Sequence, residues 1–174
     1  MKKTILGLIC CVSFLLANNF TLTSSDLKGQ LTKKQEFNGF GCSGENISPQ
    51  LSWENAPKGT KSFAITVYDL DAPTGSGWWH WVVFDIPSNK TTLASGFGNS
   101  DSKEAIQSIT DYGKTGFGGA CPPVGDKAHR YIFTVHALDI ETLGLDKNTN
   151  AATVGYYINS HSIAKASIIS YYNR

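Results

Sequence analysis

Residues 62–86 constrain the fold more than any other stretch of the chain. Ser62 to Asp69 alternates β formers, with Phe63, Ile65 and Val67 on one side and Ala64, Thr66 and Tyr68 on the other. Such alternation is the pattern of a strand. Trp81 to Ile86 is almost continuously apolar, which suits a central strand buried on both faces. Between the two runs lies Asp69-Leu70-Asp71-Ala72-Pro73-Thr74-Gly75-Ser76-Gly77-Trp78-Trp79-His80, where one proline and two glycines bend the chain. Strand, turn and strand together place two carboxylates, an imidazole and three tryptophans at one end of a sheet. That grouping describes a site better than a core.

The rest of the chain reads as further β structure. Phe20 to Thr23 and a short run around Leu31 to Phe37 are predicted early strands, followed by a glycine-rich loop over 38–46. Leu51 and Trp53 share one face of a predicted strand, and Ala56-Pro57-Lys58-Gly59-Thr60 is a turn. Residues 88–120 are rich in glycine and lack periodicity, and long irregular segments in compact domains often carry function. Arg130 to Asp139 is a strong strand. Asn148-Thr149-Asn150 offers caps for a helix over Ala151 to Ser160, interrupted by Gly155, and Ile163 to Tyr172 is a final strand. With no internal repeat, these elements define one mostly β domain with a short helix near the C-terminus.

The 174 residues suffice for one sizeable core, and a net charge of only +1 offers no basic patch for nucleic acid. Residues 1–17 read as a secretory signal: Lys2 and Lys3 precede an uncharged apolar run from Thr4 to Leu16, and Ala17 precedes the expected cut. The run is short for a membrane anchor. Gly7-Leu8-Ile9 ahead of Cys10 is a poor lipid-attachment motif. The expectation is a signal over 1–17, a mature domain over 18–174, and a periplasmic or secreted location with no stable membrane span. Cys42 and Cys121 then remain, as a disulfide or as two buried thiols; spacing alone decides neither.

Two clusters carry chemistry. In extended backbone Asp69 and Asp71 would point to the same side, although each could instead accept from turn amides. His80 enters an apolar strand, as His129 does ahead of Arg130-Tyr131. Neighbouring strands would turn both imidazoles to one mouth. Thr115-Gly116-Phe117-Gly118-Gly119-Ala120-Cys121-Pro122-Pro123 precedes His129, and its glycines permit a nest of inward amides that would bind an anion. Walker spacing is absent. Asp69, Asp71, His80 and His129 fit no familiar zinc spacing, so metal binding is a minor reading. Ser43, Ser76 and Cys121 are available nucleophiles, but no Gly-x-Ser-x-Gly elbow occurs and no base is evident, so an enzyme ranks last.

Taken together, Asp69-Leu70-Asp71-Ala72-Pro73, Trp79-His80, Gly119-Ala120-Cys121-Pro122-Pro123 and His129-Arg130-Tyr131 resemble the phosphatidylethanolamine-binding protein family, the Raf kinase inhibitor-like proteins, in its bacterial branch. Cys42-Ser43-Gly44-Glu45-Asn46-Ile47-Ser48-Pro49 followed by Leu51-Ser52-Trp53 is similar to the opening of that branch. Leu70 departs from the proline that many members carry between the acids. The resemblance implies a large central antiparallel or mixed β-sheet with a second, smaller sheet, and a pocket without cofactor or metal for a small anion or phospholipid head group. The pocket residues it implies are Asp69, Asp71, His80, Gly119, Pro122, His129 and Tyr131. It also implies an alternative, an interaction or inhibitor module acting on a kinase or protease. The partner and oligomeric state stay open, a homodimer among the options.

Overall fold

The computed structural model describes residues 19–174, so the expected signal over 1–17 lies outside the described residues. Among the described residues, eight strands and one α-helix follow in order: β1 (Thr21–Thr23), β2 (Leu51–Glu54), β3 (Ser62–Asp69), β4 (Trp78–Pro87), β5 (Thr92–Leu93), β6 (Ile106–Gln107), β7 (His129–Leu138), α1 (Ala151–His161) and β8 (Ser162–Tyr172). They form a three-stranded sheet, β1-β2-β5, and a five-stranded sheet, β6-β4-β3-β7-β8. Every strand pair is antiparallel, which resolves the antiparallel-or-mixed expectation.

The alternation read in β3 divides the large sheet between two apolar layers. Phe63, Ile65 and Val67 meet Leu22, Leu51, Trp53 and Leu93 of the small sheet. Ala64, on the other face, joins Val82, Phe84 and Leu138 beneath Ala151, Val154 and Ile158 of α1. Each large apolar side chain removed from water here contributes about 1.5–3 kcal/mol. The side chain of Asn150 caps the helix by accepting from the Thr153 amide at 2.9 Å. Gly155 has a packing role, since a Cβ there would lie 3.1 Å from the Trp79 ring. Among the described residues no helix is long and apolar enough to cross a membrane.

The strand expected around Leu31 to Phe37 does not form. The amides of Gln35 and Glu36 both donate to the Thr32 carbonyl at 3.0 Å, closing a turn. Only single bridges remain, at Gln30 with Tyr171 and at Glu36 with Ala120. A run containing Thr32, Lys33 and Lys34 lacks the alternating apolar face that would hold it in a sheet.

A β-bulge lies in the β3–β4 ladder. Val67 pairs with Trp81 and Tyr68 with Trp79, so His80 is an extra residue opposite a single step of β3. This insertion decides where three aromatics go. Trp81 is buried between the sheets, Trp79 turns toward α1, and Trp78, opposite Asp69, faces the open end of the sheet.

Candidate functional site

The open end is assembled from strand termini. Asp69 closes β3, Trp78 opens β4 and His129 opens β7, with Tyr131 paired directly to Asp69. Asp69 continues the parity of Phe63, Ile65 and Val67, so it shares their face. The bulge returns His80 to that same face. Asp69, His80, Pro122, His129 and Tyr131 thus border one cavity of about 170 Å³. Trp78, Tyr112 and Phe40 complete its wall.

Short hydrogen bonds fix the side chains. His129 Nδ1 lies 2.8 Å from Asp69 Oδ2, and its Nε2 lies 3.3 Å from Asp126 Oδ2. The other Asp69 oxygen accepts from the Asp71 amide at 2.9 Å. His80 donates from Nδ1 to the Gly118 carbonyl at 2.7 Å, which leaves Nε2 with the lone pair in the neutral ring. Burial pushes the His80 imidazole below its ordinary range, against the opposing pull of the Gly118 carbonyl and the Asp69 charge. The Tyr112 hydroxyl donates to the Gly119 carbonyl at 2.7 Å. Burial and then the Asp69 charge push both Tyr112 and Tyr131 above the usual phenol range, so both stay neutral.

Two polar atoms at the cavity are left over. The Tyr131 hydroxyl and Trp78 Nε1 are buried without a well-formed hydrogen bond, Tyr131 lying beside the Asp69 carboxylate and Trp78 beside the Tyr112 hydroxyl, and both residues line the cavity. Buried donors of this kind cost free energy unless a ligand or water meets them. No lysine or arginine lines this cavity.

Two expected site residues fall elsewhere. Asp71 does not share Asp69's side, because β3 ends at Asp69 and the alternation of an extended strand stops there. Its carboxylate instead accepts from the Arg130 amide at 2.9 Å and from both Nε and Nη2 of that guanidinium at 2.8 Å. Arg130 holds the Asp71 carboxyl far below the usual carboxylate range. The pair ties the turn after β3 to the start of β7. Gly119 lies behind the wall. Its amide donates to Asn46 Oδ1 at 2.7 Å, and the Gly118 amide donates to the His80 carbonyl at 2.8 Å, so the expected nest of free amides is absent from these two positions. The glycines serve close approach: a Cβ on Gly118 would lie 2.3 Å from the Tyr112 ring, and one on Gly119 would lie 2.2 Å from the Gln35 carbonyl.

The sequence reading missed Tyr112, Phe40 and Asp126. Tyr112 belongs to the irregular 88–120 segment that length alone marks as functional. Phe40 is 71% exposed in a positive-φ conformation on the cavity rim. Cys42 and Cys121 are joined as a disulfide with Cα atoms 5.9 Å apart, which couples the Phe40 loop to the Pro122-Pro123 wall. A larger cavity of about 660 Å³ lies beyond Phe40 and Tyr112, which line both. It contains none of the seven pocket residues implied by the resemblance, although Thr115 to Gly118 of the glycine-rich stretch line it, and its Asn46, Asn99 and Gln107 side chains are engaged within the protein. Among the described residues no group of three or more His, Cys, Asp and Glu side chains is placed to hold a metal ion.

The fold and this strand-end site define a protein class, and comparison with known proteins agrees. The chain belongs to the phosphatidylethanolamine-binding protein family, whose model matches residues 26–173. It is 51% identical over 159 residues to the UPF0098 protein YbcL of Escherichia coli, covering 88% of this chain and 87% of YbcL. It is 50% identical over 157 residues to YbhB of the same organism, covering 87% of this chain and 99% of YbhB. The crystal structure of YbcL, described as a new member of the mammalian family, superposes with a TM-score of 0.87 over 89% of this chain and 98% of that one. The homolog CT736 from Chlamydia trachomatis superposes with a TM-score of 0.75 at 29% identity, covering 90% and 99% of the two chains.

Proposed function

We propose that this protein is an exported binding protein whose strand-end pocket takes a small oxyanion or the phosphate head group of a phospholipid. The observation that carries the reading is the pair of buried donors without a well-formed hydrogen bond, Tyr131 hydroxyl and Trp78 Nε1, beside His80 in a cavity of about 170 Å³. Oxygen acceptors are the chemistry that such donors lack. The apolar wall of Ala72, Pro73, Pro122 and Pro123 suits the organic part of a head group. The Cys42–Cys121 disulfide supports the exported location, because such bonds persist in oxidising compartments.

Calorimetric titration of the mature protein with inorganic phosphate and phosphoethanolamine tests this reading. His80→Ala and His129→Ala should each weaken binding about tenfold, His80→Ala by removing a hydrogen-bonding wall of the cavity and His129→Ala by releasing Asp69 from the contact that positions it. Equal affinity in wild type and both variants would refute it.

A second reading draws on the rim. Phe40, which lines the cavity, is 71% exposed, and Val124, next in sequence to the lining Pro123, is 76% exposed, and exposed apolar side chains beside a site favour a protein partner. On that reading the protein is an interaction or inhibitor module for a kinase or protease, with the pocket modulating the contact. Affinity capture from the cell envelope should then recover a stoichiometric partner that is lost on pocket mutation.

A further inference from the structure

The pocket's donors and acceptors are not matched to a fully deprotonated anion. Tyr131 hydroxyl and Trp78 Nε1 are its available donors. Its free acceptors are the remaining lone pairs of Asp69 and Nε2 of His80, whose other nitrogen is engaged by the Gly118 carbonyl. Both nitrogens of His129 face carboxylates, Asp69 and Asp126. Asp111, which also acts on His80 by its charge, accepts from the Trp79 amide at 2.7 Å. The nearby cations offer no relief: Arg130 binds Asp71, and Lys127 lies 3.8 Å from the same carboxylate. An oxyanion with no proton would satisfy the two donors while setting its other lone pairs against Asp69 and the His80 lone pair.

This inference rests on the oxyanion reading above and narrows it. We propose that the pocket selects oxyanions that retain at least one acidic hydroxyl, such as dihydrogen and hydrogen phosphate or the monoanion of a monoalkyl phosphate, and rejects those that carry none, such as sulfate. The ligand hydroxyl donates to Asp69, and its unprotonated oxygens accept from Tyr131 and Trp78. His80 Nε2 takes a second hydroxyl where the ligand has one. Asp69 is therefore the specificity-determining residue, through the proton it requires of the ligand.

The test is isothermal titration of the wild-type protein with inorganic phosphate, methyl phosphate and sulfate from pH 5.5 to 8 at constant ionic strength. Sulfate should bind at least about tenfold more weakly than either phosphate at pH 6, the scale of one unsatisfied charged acceptor. Methyl phosphate should lose about tenfold in affinity per pH unit above about 6, where a phosphomonoester gives up its second proton. Inorganic phosphate keeps at least one acidic hydroxyl throughout this range, as the hydrogen phosphate dianion at its upper end, so its affinity should fall far less. A profile that follows each ligand's own ionisation separates a ligand proton from a titrating protein group. Asp69→Asn, checked for folding by its thermal transition, should narrow the phosphate-to-sulfate ratio.

Equal binding of sulfate and phosphate, one common pH midpoint for both phosphates, or an unchanged ratio in folded Asp69→Asn would each overturn the proposal and leave the oxyanion pocket standing. Failure of every anion to bind at any pH would overturn both.

Discussion

His136 offers a test of the buried interior by pH. It lies near the C-terminal end of β7, is 6% exposed, and shares only a 3.2 Å contact between its Nε2 and the Thr66 hydroxyl. Its Nδ1 has no partner. Burial, and then the charge of the cross-strand neighbour Lys165, push its pKa down to about 4. In the unfolded chain the same imidazole titrates near 6.5. Below pH 6.5 the unfolded state therefore takes up a proton that the folded state declines until about pH 4. The stability His136 confers is thus complete above 6.5 and is lost as pH falls across that window. A fall from 6.5 to about 4, at about 1.36 kcal/mol per pKa unit, corresponds to roughly 3 kcal/mol. His136→Gln preserves a group that can bond Thr66 but cannot titrate. Urea unfolding of both proteins between pH 4 and 7 isolates the effect as a difference, since the carboxylates are common to both. The wild-type curve should fall more steeply than the variant curve by that amount. Parallel curves would refute the assignment of a neutral imidazole, held only through Thr66, to the sheet interior.

Three further outcomes follow from the geometry. Replacing both Cys42 and Cys121 by serine opens a loop of 79 residues and should lower the unfolding free energy by up to about 4.5 kcal/mol in the chain-entropy picture, measured by chemical denaturation. Asp71→Asn should cost about 2 kcal/mol by weakening charged hydrogen bonds to Arg130, with most of the wild-type advantage vanishing in acid as the Asp71 carboxyl becomes protonated; a loss that stays constant down to pH 2 would count against it. Gly118→Ala should destabilise the protein by about 1–3 kcal/mol and impair ligand binding, because its methyl group meets the Tyr112 ring at 2.3 Å; a fully stable variant with intact binding would show that this wall yields.

Much of the architecture is legible in local pattern, because β3 and β7 carry β formers on two buried faces while β8 alternates with one face turned outward. The strand ends are legible too, and with them the convergence of Asp69, His80 and His129 at one mouth. Asp71 defeats the same reasoning within two residues. Period-two alternation holds only while the backbone remains extended, and after Asp69 the turn hands its carboxylate to Arg130. Gly119 shows a different limit. Glycine permits an inward amide but equally permits a backbone to pass close by, and only tertiary contact with Gln35 distinguishes the two. Tyr112 leaves no periodic trace, because its place is set by Gly118 and Gly119 within its own irregular segment and by Trp78 at the start of β4. The turn at Thr32 is settled by backbone hydrogen bonds that compete with a sheet.

The one-residue insertion at His80 makes the length of β4 as important as its composition. Deleting His80 would remove the imidazole and the bulge together, and would leave Trp79 opposite Tyr68 and Trp78 opposite Asp69 in a regular ladder. A complete set of substitutions along this strand would never sample that change of count, whereas a single codon deletion would. Variation in this protein therefore has two separate dimensions at the site, spelling and counting, and the bulge confines a change of count at His80 to the imidazole itself, sparing wall and core.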